Sequence, residues 1–268
     1  MNQLFGVYGG LVKDLNDPQK EGRVRRTYPW LADDAASGWA PIARPMAGKD
    51  RGYFYMPEID DEALVAFESG SIDHPFIVGF LHNGIDLPPY DGIDEHVRRL
   101  RTVAGHFLEF DDRAGQESLR LSTHSGHELE MRDPDGTVDL VTSGGQKIQM
   151  QDAPGRIKLS TATGTTITVN DLPSEIELKT VAGVTVTISD TGGVTVTSMT
   201  GGVSVNSLTA SVTAAASMDV NAPALTLTAP LLTVNSALAS FTGLVQCAAP
   251  LTQAVSSSAD RPRPGQSL

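Results

Sequence analysis

Gly105-His-Phe-Leu-Glu-Phe-Asp-Asp112 returns along the chain as Gly126-His-Glu-Leu-Glu-Met-Arg-Asp133, Gly145-Gln-Lys-Ile-Gln-Met-Gln-Asp152, Gly164-Thr-Thr-Ile-Thr-Val-Asn-Asp171 and Gly183-Val-Thr-Val-Thr-Ile-Ser-Asp190. The first two glycines are 21 residues apart and each later interval is 19. Apolar residues alternate within every copy: Leu108/Phe110, Leu129/Met131, Ile148/Met150, Ile167/Val169 and Val186/Ile188. Alternation of period two puts both members of a pair on one face of a strand. A turn rich in Asp, Gly and Pro follows, then a second pair: Leu119/Leu121, Val138/Leu140, Ile157/Leu159 and Ile176/Leu178. One repeat therefore reads strand, turn, strand, turn.

From Ala216 the period tightens to seven, in units opened by Pro223 and Pro230. Met218, Leu225 and Leu232 share one slot; Val220, Leu227, Val234 and Phe241 share another. Seven is also the coiled-coil period, but Thr, Val and Asn between the apolar residues, with a proline opening successive units, are poor helix material. Extended structure is expected throughout. Strands this narrow carry one apolar stripe that a single chain has too little material to enclose, so the stripe must stack on other chains. The expectation is an all-β fold whose second part is an intertwined trimeric β-helix, or β-prism. Its core would be Leu108, Phe110, Leu129, Met131, Ile148, Met150, Ile167, Val169, Val186, Ile188, Val220, Leu227 and Val234. A single-chain parallel β-helix is the alternative, and it usually needs longer rungs.

Composition sets the limits. The texture changes near residue 90, with aromatics crowding the first third and Thr, Val, Ser, Gly and Ala filling the rest. A net charge of -12, tripled in a trimer, argues against nonspecific binding to nucleic acid or to an anionic membrane surface. Cys247 is the sole cysteine, so no intrachain disulfide forms. There is no N-terminal basic segment followed by an apolar run, and no apolar stretch of about 18 residues, which predicts synthesis in the cytoplasm without an export signal.

Residues 1–92 read as a small barrel: after an apolar, Gly-rich stretch from Leu4 to Val12 come five short strands, Gly22 to Tyr28, Trp39 to Ala43, Gly52 to Met56, Ala63 to Phe67 and Pro75 to Leu81, cornered by Gly and Pro. Here Asp17-Pro18, Gly22-Arg23-Val24, Pro29-Trp30, Trp39-Ala40-Pro41, Pro45-Met46-Ala47-Gly48, Pro57-Glu58, Asp61-Glu62, Gly79 and Asn83-Gly84 together resemble the OB-fold domain of central spike proteins. These serve contractile phage tails, VgrG-like type VI secretion spikes and extracellular contractile injection systems. The resemblance covers about residues 5 to 110 and extends into the repeats. Asp60 stands where the family has glycine, a departure that bears on one turn.

The expected organisation is an OB-fold domain over 1–92, a linker over 93–104, a repetitive β-helix needle over 105–245, and a tip and polar tail over 246–268. In the linker region, Arg98, Arg99 and Arg101 read either as a solvated charge run or as contacts to a neighbouring subunit's acidic groups.

Catalytic and metal sites are not expected. Asp33/Asp34, Asp60/Asp61 and Asp111/Asp112 are adjacent residues that point to opposite faces of a strand, not converging carboxylates. His106 and His127 occupy the same slot of successive repeats, and with His124 they read as structural. No histidine follows His127, so the His-x-His iron site that some phage spikes carry is absent from the described pattern. No cofactor is implied.

The resemblance implies a non-enzymatic homotrimeric spike, made in the cytoplasm and assembled into a virion or an extracellular injection particle. It would sit on a separate hub protein at the OB end and pierce a target envelope on sheath contraction. A cap protein of the PAAR type would bind an apolar platform at the tip made of Leu238, Phe241, Leu244 and Val245. The rivals are a trimeric tail fibre that binds or cleaves surface polysaccharide, and an OB-type single-strand binder, which would call for a basic face.

Overall fold

A computed structural model of the chain describes residues 3–31, 37–90, 92 and 94–243. The fold is all-β; the one helical element among the described residues is a three-residue 3-10 turn, Glu68–Gly70. Residues up to Val205 form one compact unit, and a second begins at Asn206.

The N-terminal strands are β1 (Val7–Asp14), β2 (Arg25–Thr27), the two-residue arms of a hairpin β3 (Ala47–Gly48) and β4 (Arg51–Gly52), β5 (Glu62–Phe67) and β6 (Pro75–Phe80). Four of them make an antiparallel sheet in the order β2-β1-β5-β6. The segment 40–42 joins its two edges. Ala40 bridges Val24 beside β2, and Ile42 bridges Ile77 on β6, so the sheet closes into a barrel. Val12, Val24, Ala40, Ala63 and Ile77 point inward with no exposure, and Tyr28, Val65 and Phe67 form a second inner cluster.

Two expected strands are shorter than expected. Trp39 to Ala43 contributes only the two bridges. Beyond Gly52 the backbone leaves the ladder because the Arg44 guanidinium donates to the carbonyls of Tyr53 (3.2 Å) and Tyr55 (3.1 Å), taking the place of a neighbouring strand. Alternation along β2 also places Arg26 inside the barrel, where it donates to Tyr28 Oη at 2.6 Å and to the Gly38 carbonyl at 3.2 Å. Burial lowers the pKa of this guanidinium.

The motif Asp17-Pro18 with Gly22-Arg23 has a local cause. The Asp17 carboxylate accepts the backbone N–H groups of Gln19, Glu21 and Arg23 and the Arg23 guanidinium at 2.7 Å, which locks the β1–β2 connection. Asp60 has φ 71°, the left-handed backbone that glycine adopts without strain, so the turn keeps the geometry that glycine would supply.

The second sheet runs in chain order: β7 (Val97–Arg101), β8 (Phe107–Asp111), β9 (Ser118–Ser122), β10 (Glu128–Arg132), β11 (Thr137–Val141), β12 (Lys147–Gln151), β13 (Arg156–Ser160), β14 (Thr166–Asn170), β15 (Glu175–Lys179), β16 (Val184–Ser189) and β17 (Gly193–Ser198). Every neighbouring pair is antiparallel.

The turns at one edge share one device, Thr-x-x-Gly. In Thr102/Gly105, Thr123/Gly126, Thr142/Gly145, Thr161/Gly164 and Thr180/Gly183 the glycine N–H donates to the threonine carbonyl. The threonine hydroxyl then accepts the N–H of the residue after the glycine, at 3.0 to 3.2 Å. Each of these glycines has φ between 84° and 98°, which is why glycine marks the repeat.

Two expectations change here. The stretch 93–104 is not simply a linker, because Val97–Arg101 is the first strand of the sheet. Arg98 and Arg99 meet acidic groups of their own chain, Asp112 and Glu109, across the β7–β8 pair. At the other end, ladder pairing within the chain stops at Ser198. Among the described residues, 199–243 contain no strand and all are exposed. From Ala216 on, the reason is arithmetic. A 19-residue repeat holds two five-residue strands and two turns, whereas a seven-residue unit has room for one strand and a corner, with no return strand to pair with.

Candidate interaction surface

The registers align the apolar pairs into two columns. The first runs Leu100, Leu108, Leu121, Leu129, Leu140, Ile148, Leu159, Ile167, Leu178, Val186 and Val196. The second runs Phe110, Leu119, Met131, Val138, Met150, Ile157, Val169, Ile176, Ile188 and Val194. Ten expected core residues, from Leu108 to Ile188, fall in these columns. Val220, Leu227 and Val234 lie beyond the last strand and are exposed, as are Leu238 and Phe241. Leu244 and Val245 lie outside the described residues.

The rest of the stripe lies outside the expected core: Leu119, Leu121, Val138, Leu140, Ile157, Leu159, Ile176 and Leu178, together with Leu100, Val194 and Val196 at its ends. The signal for the first eight was the second alternating pair of each repeat, which the register places opposite the first.

This apolar face is uncovered. Leu121 is 51% exposed and Leu140 48%, whereas Asp139 and Thr137 on the opposite face are only 5% and 6% exposed. The inversion has a simple cause. Arginine, lysine and glutamate side chains are long enough to lie across the polar face and cover it, while the branched residues of the apolar face are too short to cover each other. A groove on the apolar side is floored by Leu140, Ile148, Leu159 and Ile167, with Thr142 and Thr161 on its rim.

The polar face is organised by ion pairs. Arg99 meets Glu109, Arg120 donates to Glu128 at 2.7 Å, and Arg132 reaches Glu130 (3.4 Å), Asp135 (3.2 Å) and Asp139 (3.1 Å). Lys147 closes on Asp139 at 2.9 Å. At the end of β8, Arg113 clamps Asp111 and holds its carboxyl down at about 2. Asp111 is therefore held ionised by Arg113, the opposite of the raised pKa that a general acid needs.

The histidines are turn-to-turn contacts. His106 Nδ1 accepts the His124 N–H at 3.1 Å, and His127 Nδ1 accepts the Ser143 N–H at 3.3 Å. No group of three or more His, Cys, Asp or Glu able to hold a metal ion occurs among the described residues. No helix of the described residues is long and apolar enough to cross a membrane.

A second uncovered apolar surface went unread in the sequence. Phe76 and Val78 are exposed along β6, and Val7 on β1 lies on the same outer face as Phe76, across Ala66; a register irregularity at Val78 then sets the exposed Phe80 opposite Ala63. Trp30 instead packs its ring against Tyr8 and Tyr28 and donates its N–H to the Gly9 carbonyl at 3.1 Å.

A closed five-segment barrel followed by a one-sided antiparallel ladder is an architecture similar to that of VgrG-like baseplate spikes, and the comparisons with known proteins support the likeness. Residues 8–82 match the type VI secretion system/phage-baseplate injector OB domain. The chain is VgrG-like. It is similar to actin cross-linking toxin VgrG1 of Vibrio cholerae, 28% identical over 50% of this chain and 13% of that protein. It is also similar to the type VI secretion system spike proteins VgrG2a (27% identical, 39% of this chain and 14% of the relative) and VgrG1a (31%, 37% and 18%) of Pseudomonas aeruginosa. The match thus spans less than a fifth of each of these relatives.

Proposed function

We propose that this chain is the structural central spike of a contractile injection apparatus, working as a homotrimer whose three ladders pack apolar face to apolar face. The observation that carries the reading is the uncovered two-column stripe that continues from an injector-type OB barrel. Water tolerates a few exposed apolar side chains, but a contiguous stripe over eleven strands marks a surface that another chain covers. Residues 199–243 support the same reading: among the described residues they form no strand within the chain, and strands of other chains would ladder their backbone.

The role is mechanical. Sheath contraction would drive the ladder into a target envelope, with the barrels docked on a separate hub and a PAAR-type cap at the other end. The outer barrel face at Val7, Phe76 and Val78 offers a surface for the hub. Co-purification with hub and cap partners tests this arrangement: a chain ending at Leu238 is expected to lose the cap and keep the hub. Loss of the hub from a truncated chain that remains trimeric would overturn the assignment of ends.

A further inference from the structure

We infer that Glu175 and Lys179, at opposite ends of β15, form ion pairs between chains, Glu175 of one copy with Lys179 of the next, as a ring of three. The inference rests on the trimeric reading above and adds to it a contact and a register.

Proximal to β13, most charges on the polar face of the strands are paired within the chain, from Arg99–Glu109 through Lys147–Asp139. β15 is different. Glu175 stands between Asn170 and Ser189, and Lys179 between Thr166 and Thr185. The residue diagonal to both on either side is a threonine, Thr168 or Thr187, so no opposite charge lies on an adjacent strand. The two cannot reach each other either. Four residues of extended chain separate their Cα atoms by about 13 Å.

Rotation about a three-fold axis joins unlike edges, bringing the Asp-turn edge of one sheet to the Thr-turn edge of its neighbour at the same height. Glu175 sits at the first edge and Lys179 at the second. Among strands β7 to β17, β15 alone carries unpaired opposite charges at its two ends, so it is complementary to a copy of itself and to no neighbour in its own chain.

Charge exchange tests the pair. Glu175→Lys and Lys179→Glu are each expected to lower the melting temperature of the trimer by about 2–4 °C, since each sets like charges together at three corners. The double variant, which restores three opposite pairs, is expected to return to within about 1 °C of the parent, and the difference is expected to shrink at about 1 M salt. Glu177→Lys, in mid-strand, serves as the control that Lys179→Glu does not rescue. Additive losses in a double variant that remains trimeric by mass would overturn the pair while leaving the trimer intact. A parent protein that is monomeric by mass removes the reading on which the pair rests.

Discussion

Gly155 lies directly beneath the Asp171 carboxylate: a β-carbon on Gly155 would fall 2.0 Å from Oδ2 and 3.0 Å from Cβ of Asp171. The two belong to successive turns at the Asp edge of the sheet, and the Asp171 N–H donates to the Gly155 carbonyl at 2.9 Å. The 19-residue repeat is therefore a stacking distance as well as a sequence period. Gly155→Ala must push Asp171 off its neighbour, and a loss of about 1–3 kcal/mol is expected from overpacking. Chemical denaturation of the variant checks it; parent-like stability would show that the turns are not in load-carrying contact.

The apolar face gives a sharper discrimination. Ile167 is 39% exposed in the single chain, so a charge there would cost little if the face met water. If three copies bury it, Ile167→Asp leaves unpaired carboxylates around one axis, and a loss of several kcal/mol per chain is expected. The expected result is failure to assemble. Assembly at parental yield and melting temperature would place Ile167 outside the interface.

Asp60 holds a left-handed backbone, with φ 71°, without being glycine. Its ion pair with Lys13, at 3.8 Å and well exposed, returns little. Asp60→Gly is expected to raise stability by about 0.5 kcal/mol, or about 1–2 °C in melting temperature. A lower melting temperature would show that the side chain contributes more than its backbone strain costs.

Acid should loosen the molecule in a defined window. Asp17 is pulled below the usual carboxylate range first by the Arg23 guanidinium, and Asp111 to about 2 first by Arg113. A folded-state pKa below the unfolded value of 3.8 means stability that is fully present above that value and lost as pH falls through the folded pKa. Stability is therefore expected to fall between about pH 4 and 2, and Asp17→Asn to flatten that limb. An unchanged acid limb in the variant would show that Asp17 is not one of the groups responsible.

How much of this was legible beforehand follows from the physics of each feature. Alternation exposed the stripe, because Leu108 and Phe110 must share a face wherever the strand lies. Arg26 inside the barrel was not legible in the same way: alternation fixes which residues share its face, but only the closed sheet reveals that this face is the interior. The Thr-x-x-Gly turns were half seen: glycine marked the period, while the threonine hydroxyl's role needs the hairpin's geometry. Arg98 and Arg99 read as linker charges because their partners, Asp112 and Glu109, lie 14 and 10 residues further on, a pairing that only the β7–β8 register sets. Beyond Ser198 the seven-residue period marks repetition without saying which chain supplies the neighbouring strand.

The central claim is that one chain cannot cover its own stripe and that three do. Light scattering on the purified 268-residue chain measures this directly. The expected mass is three times the 28.4 kDa of the chain, unchanged on dilution to low micromolar concentration. A folded, stable species at the mass of a single chain would contradict the account.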